Sequence, residues 1–223
     1  MIAAVVFDLD GVLVDSEQVW DEARRELTAD SGGRWKDSAT RDMLGMSSPE
    51  WSAYVNDELG VPLAPPEISA AVVARVQELY RRELPLLPGA ADAVRRLSAA
   101  WPLGLASSSN RPVIDLVLEL TGLAPCFAAT VSSEEVARGK PAPDVYLEAV
   151  RRLGAEPGRC AAVEDSTNGI RSALAAGLRV VAVPMRAFPP DPAAVREAHA
   201  VVEGLDEIDV ALVEALAPPS RPG

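Results

Sequence analysis

The 223-residue chain has one histidine, two cysteines and aromatic side chains at only 4% of its positions. It is also short of positive charge: 21 Lys and Arg stand against 33 Asp and Glu, a net charge of −12. Nucleic acids and anionic membranes select basic surfaces, so neither is expected as a partner. A small anionic substrate stays open, because the charge inside a cleft need not follow the total. His199 lies far along the chain from the clusters described below, which disfavours a Ser-His-Asp hydrolase and marks it as a surface residue. Cys126 and Cys160 are far apart in apolar contexts and read as free buried thiols, not as a disulfide or metal pair. No run reaches the ~18 apolar residues of a membrane span, and no basic segment precedes the first apolar run. The expectation is a cytoplasmic protein, by default a monomer. There is no Walker loop and no Gly-x-Gly-x-x-Gly, so nucleotide-dependent chemistry has no support. A hydrophobic content of 48% is ample for one large or two small domains, with no polar low-complexity block.

What the chain does have gathers first in Val5–Ser16. Ala3 to Phe7 has the length and β-branched content of a buried strand. The strand stops at Asp8, Asp10 follows two residues later, and Gly11 frees the backbone for a turn. Two carboxylates at the end of a buried strand are costly to desolvate and need a partner. A hard divalent cation suits them. A plain turn with Asp side chains bonded to the backbone is the structural alternative.

The pattern then turns helical. Val19, Ala23 and Leu27 recur at helical spacing in Glu17–Asp30, before Ser31-Gly32-Gly33 breaks the run. Helical pieces follow at Asp37–Leu44, Pro49–Leu59 and Pro66–Glu83, with no convincing strand between Asp15 and Glu83. From Pro85 strands and helices alternate. The predicted strands are Leu103–Ala106, Ala128–Val131, Ala161–Val163, Arg179–Val183 and Ala200–Val202. The predicted helices are Ala90–Ala100, Pro112–Leu120, Val145–Leu153, capped by Asp144, and Asn168–Ala176. The end, rich in proline, reads as a loose tail. This is an α/β pattern: a doubly wound parallel sheet with an all-helical insertion. The expected division is residues 1–14 and 85–217 for the sheet domain, 15–84 for the helical domain and 218–223 for the tail.

Parallel sheets bind ligands at the carboxyl ends of their strands. Asp8 and Asp10 follow the first strand and Ser107 the second. Lys140 lies in the loop after the third, and Glu164 and Asp165 follow the fourth. Clustered carboxylates suit Mg2+, and a lysine and a serine on the same rim suit a phosphate. A carboxylate can attack phosphorus, and a second can protonate the leaving oxygen and then deprotonate water.

Four motifs carry a resemblance. They are Asp-Leu-Asp-Gly-Val-Leu-Val-Asp-Ser from Asp8, Ala-Ser-Ser-Ser-Asn from Ala106, Gly-Lys-Pro-Ala-Pro-Asp-Val-Tyr from Gly139 and Val-Glu-Asp-Ser-Thr-Asn-Gly from Val163. In this order, over nearly the whole chain, the sequence resembles the haloacid dehalogenase-like hydrolases. The similar branch contains β-phosphoglucomutase and the small sugar-phosphate phosphatases. The resemblance implies Asp8 as nucleophile and metal ligand. It implies Asp10 as general acid/base whose backbone carbonyl reaches the metal. Ser107 and Lys140 would hold the phosphoryl group, Lys140 also bracing Asp8. Asp165 would ligate Mg2+, and Glu164 would do so directly or through water. The helical insertion would be a cap over the cleft, hinged near Val14–Ser16 and Leu84–Pro88.

The cap departs from the mutase pattern. Trp20 stands where β-phosphoglucomutases carry a histidine, and Gly45-Met46-Ser47-Ser48 stands where they carry an arginine for the distal phosphate. Losing a bidentate phosphate anchor favours hydrolysis over phosphate shuttling. The string from Asp15 to Asp21, with Leu86-Leu87-Pro88-Gly89, looks more like the hexose- and hexitol-phosphate phosphatases. The reading is a Mg2+-dependent phosphatase of a sugar or polyol phosphate, with a hexose phosphate mutase or a non-catalytic binding protein as alternatives. Trp20 and Ser108 are candidate substrate contacts. Asn110 suits either a substrate contact or a helix cap, and Asn168 has the same ambiguity. Trp35, Trp51 and Trp101 read as packing residues and Arg138 as a solvated charge.

Overall fold

The computed structural model describes residues 1–43, 46–185 and 189–217. Its sheet has six strands, all parallel to their neighbours, in the order β3-β2-β1-β4-β5-β6. They are β1 (Ala4–Phe7), β2 (Leu103–Ser107), β3 (Phe127–Ser132), β4 (Cys160–Glu164), β5 (Arg179–Ala182) and β6 (Ala200–Val201). Four helices lie between β1 and the helix that leads to β2: α1 (Glu17–Asp30), α2 (Ala39–Asp42), α3 (Ser48–Asp57) and α4 (Pro65–Arg82). The others are α5 (Ala90–Ser98), α6 (Arg111–Thr121), α7 (Asp144–Arg152), α8 (Thr167–Ala175), α9 (Pro192–Glu197) and α10 (Val210–Ala215).

All of β1 is buried. Val5 and Phe7 face one core, shared with α5, α6 and α10; Ala4 and Val6 face the other, shared with α7, α8 and α9. Helices on both faces explain why β1 is apolar throughout instead of alternating. The strand order reverses between β1 and β4, which is where a doubly wound sheet opens a crevice at its carboxyl ends.

Helices α1 and α4 pack through Trp20, Ala23, Arg24 and Leu27 on one and Ile68, Val72, Val76 and Tyr80 on the other. The two connections to the sheet run side by side, with Asp15 N donating to Pro85 O (2.9 Å) and Leu87 N to Leu13 O (2.9 Å). Among the described residues no strand of the sheet falls between Asp15 and Glu83.

Three local expectations are corrected. The helix expected over Asp37–Leu44 shrinks to the single turn of α2, since only Ala39 and Met43 offer a buried surface and one turn cannot propagate on so little; Leu44 lies outside the described residues, as do Gly45 and the expected tail, 218–223. Asp144 does not cap α7: it is the first helical residue, and its carboxylate pairs with Arg138 at 2.7 Å. Helices α9 and α10 were not anticipated, being too short to show a period. Each starts at an Asp whose carboxylate accepts a backbone N–H, Asp191 from Ala193 and Asp209 from Leu212, both at 2.8 Å.

Candidate active site

The sheet brings four strand ends together. Asp8 leaves β1 with its N–H bonded to Val163 O of β4 (3.0 Å), and its Oδ1 accepts from Leu9 N at 2.7 Å. The chain then turns at Gly11, whose φ is +74°. A Cβ there would lie 2.0 Å from Asp165 Oδ2, so glycine both makes the turn and lets the carboxylate from β4 approach β1.

Lys140 reaches in from the segment after β3. Its Nζ lies 2.9 Å from Asp8 Oδ1 and 2.7 Å from Glu164 Oε1, with the side chain 4% exposed. Glu164 is wholly buried at the end of β4. Its Oε1 also accepts from Tyr146 OH at 2.6 Å, and its Oε2 accepts from Ser166 Oγ at 3.3 Å. Ser166 caps α8 by accepting from Gly169 N at 3.0 Å. Burial works against the Lys140 ammonium, but Asp8 and Glu164 outweigh it and raise its pKa. Asp8 is pushed up to about 8, by burial first; Lys140 opposes this, while Glu164 and Asp10 add to it. The arrangement is one ammonium between two carboxylates.

Asp10 is held from the other side. Its Oδ2 accepts from Ser109 Oγ at 2.7 Å and from Ser107 Oγ at 3.2 Å. Ser107 Oγ in turn accepts from Ser109 N at 2.9 Å. Asp10 Oδ1 and Asp165 Oδ1 are buried without any hydrogen-bond partner. Carboxylate oxygens of Asp8, Glu164 and Asp165 all lie within 4.8 Å of one another. Asp165 is raised well above the usual carboxylate range by burial, then by Glu164 and Asp8. Two orphaned oxygens beside clustered carboxylates are what a hard cation with oxygen ligands relieves, so the residues present fit Mg2+.

A chamber of about 520 Å3 opens above these groups, lined by Asp8, Asp10, Lys140, Asp165, Ser108 and, from the helical segment, Glu17. Asn168 also lines it. Ser107 belongs to β2, is fully buried and does not line the chamber, whereas its neighbour Ser108 does. Trp20 lines a smaller adjoining chamber of about 110 Å3 with Arg24, Trp51, Glu17 and Asp10. Asn110 lies apart from both. Its Oδ1 accepts from Ser48 Oγ (2.8 Å) and its Nδ2 donates to Glu134 (2.7 Å), and its side chain makes no cap to α6. It joins the helical segment to the sheet domain across a separate groove. Both cysteines are free. His199 is exposed, and its Nδ1 accepts from Val180 N at 3.1 Å.

The structure adds partners that motif reading passed over. Ser109 stands two residues after Ser107 in the same turn, and only the turn geometry shows which hydroxyl makes the shorter bond to Asp10. Tyr146 lies on the buried face of α7, beyond the loop that carries Lys140, and its OH donates to the same Glu164 oxygen that Lys140 contacts. Gly169 leaves room for that carboxylate: a Cβ there would lie 1.9 Å from Glu164 Oε2.

The family model for haloacid dehalogenase-like hydrolases matches residues 2–177. The chain is 36% identical over 200 residues to hexitol phosphatase B of Escherichia coli strain K12, covering 86% of this chain and 87% of that protein. The crystal structure of CbbY from Rhodobacter sphaeroides in complex with phosphate superposes with a TM-score of 0.88 at 28% identity, covering 96% of this chain and all of the other. β-Phosphoglucomutase from Clostridium difficile shares the fold, with a TM-score of 0.81 at 21% identity and 97% of each chain covered.

Proposed function

Because the chain belongs to the haloacid dehalogenase-like hydrolases, we propose that it is a Mg2+-dependent phosphomonoesterase that works through Asp8 on a small sugar or polyol phosphate. The observation that supports this most is the setting of Asp8. It lies 2.9 Å from a buried ammonium, within a cluster of carboxylates fit for a cation, and on the wall of a chamber large enough for a small metabolite.

Each group then has a task. The Asp8 carboxylate attacks phosphorus, forming an aspartyl-phosphate as the bond to the leaving oxygen breaks. Asp10, oriented by Ser109 and Ser107, gives its proton to that oxygen. It then removes a proton from the water that attacks the aspartyl-phosphate, which frees inorganic phosphate and restores Asp8. Lys140 favours the ionised form of Asp8 and holds it in line, and Glu164 with Tyr146 fixes Lys140. Ser108 and nearby backbone N–H groups take the phosphoryl oxygens. Asp8, Asp165 and the backbone carbonyl of Asp10 would hold Mg2+, which would supply the charge neutralisation that lets one anion attack another. Glu164 is already engaged by Lys140, Tyr146 and Ser166, so its part is to brace the ammonium. Helices α1–α4 form the cap that excludes bulk water, moving on the paired connections around Asp15 and Pro85.

The polyol part of the reading rests on the likeness to hexitol phosphatase B. The mutase alternative has less support: β-phosphoglucomutase from Clostridium difficile is only 21% identical, and the stretch Gly45-Met46-Ser47-Ser48 stands where mutases carry an arginine. Phosphate release from a panel of sugar and polyol phosphates, with and without EDTA, tests the proposal. Asp8→Asn should lower turnover by roughly 10^3-fold or more. Retained turnover in that variant refutes Asp8 as the nucleophile.

A further inference from the structure

Arg24 has no role in the chemistry above, yet it is 94% buried, at 6% exposure, in the face that the helical segment turns toward Asp10. Its Nε and Nη1 are buried and have no hydrogen-bond partner. Asp21, one turn earlier, is taken by Arg25 and Thr40. The guanidinium lies against two indoles, with its Cζ 5.5 Å from the Trp20 ring centre and 5.1 Å from that of Trp51. Stacking engages the faces of a guanidinium and leaves its in-plane N–H groups to bond something else. Such donors are expensive to bury unpaired, and the 110 Å3 chamber they line joins the nucleophile's chamber through the shared residues Asp10, Glu17 and Ser108.

We propose, resting on the phosphatase reading, that Arg24 and Glu17 form a subsite for the uncharged, hydroxylated end of a sugar or polyol monophosphate whose phosphate lies at Asp8. Arg24 donates to hydroxyl oxygens, Glu17 accepts from hydroxyl protons, and Trp20 and Trp51 pack against carbon. Hydroxyls meet both requirements at once. A second phosphate or a carboxylate would satisfy Arg24 but face Glu17 and Asp10 on the same walls. The cationic residue in this cap therefore selects for hydroxyls, not for a second anion.

The test compares the wild type with Arg24→Met, which keeps the packing against the indoles and removes the donors. The probes are sorbitol 6-phosphate, fructose 1,6-bisphosphate and p-nitrophenyl phosphate, which has no hydroxylated end. In R24M the KM for sorbitol 6-phosphate should rise about tenfold or more, the worth of a lost buried hydrogen bond, with kcat and both p-nitrophenyl phosphate parameters within about twofold. Equal losses on all probes make Arg24 a packing residue and overturn the proposal. A wild-type preference for the bisphosphate that disappears in R24M overturns it in favour of a distal anion. Arg24→Lys, which keeps the charge but not the planar fork, should show the same selective rise and serves if R24M does not fold. Calorimetry of sorbitol 6-phosphate on Asp8→Asn protein with Mg2+ reads the subsite without turnover. There R24M should weaken binding about tenfold, and absent or unchanged binding overturns the subsite. Binding that responds to R24M, with no phosphate released by the wild type, refutes the phosphatase reading alone.

Discussion

Replacing Gly169 by alanine perturbs the site without touching any reacting group. The new Cβ would stand 1.9 Å from Glu164 Oε2 and 2.0 Å from both Cδ and Oε1, so the carboxylate has to move by roughly an ångström or more. Glu164 is wholly buried and cannot swing into water. Moving it stretches the 2.7 Å contact with Lys140 and the 2.6 Å bond from Tyr146. Hydrogen bonds to charged groups are worth ~1.5–3 kcal/mol each. Alanine in the first turn of α8 regains about 1 kcal/mol of helix propensity. The net destabilisation is about 2–5 kcal/mol, which for a chain of this size lowers the thermal midpoint by roughly 4–20 °C. Activity should fall further than stability, because Lys140 loses the partner that aims it at Asp8. Thermal unfolding and phosphate release, measured together on G169A, read both effects. Gly158→Ala is the control, as nothing lies within 4 Å of the Cβ it would carry. A G169A protein with the midpoint and turnover of the wild type would refute the idea that Glu164 is held in one place for Lys140.

Two further outcomes follow from the same contacts. Burial leaves Asp8 at about 8 in the folded chain without a cation, against 3.8 as its ordinary value. Between those pH values the folded state keeps a proton that the unfolded chain has lost, so this group's contribution to stability falls as pH rises through the window. Mg2+ bound at Asp8 would displace that proton. The rise in thermal midpoint on adding Mg2+ should therefore grow from pH 5 to pH 8, and calorimetry at pH 6 in two buffers of different ionisation enthalpy should show proton release; a heat of binding independent of buffer counts against it. Ser109→Ala removes the shorter bond to Asp10 and should lower kcat roughly tenfold while the thermal midpoint shifts little; unchanged kcat means that Ser107 alone orients the acid.

The sequence alone determined the sheet class and the strand ends that matter. Apolar runs that stop at Asp8, at Ser107 and at Glu164 can be read without coordinates, because a strand buried on both faces tolerates polar side chains only where it ends. Lys140, one of two lysines in the chain, was legible for the same reason, as a lone ammonium opposite several carboxylates. Tertiary structure decided which atoms meet. That Ser109 makes the shorter bond to Asp10, that Tyr146 shares Glu164 with Lys140, and that Gly11 clears space for Asp165 are products of packing between segments far apart in sequence. Arg24 is the clearest case. In sequence it is a charge on a helix full of charges, and only the meeting of α1 with α3, which sets Trp51 beside Trp20, buries it and leaves its donors facing the substrate chamber. Periodicity records which face of a helix is buried, but what that face is buried against depends on the other helix.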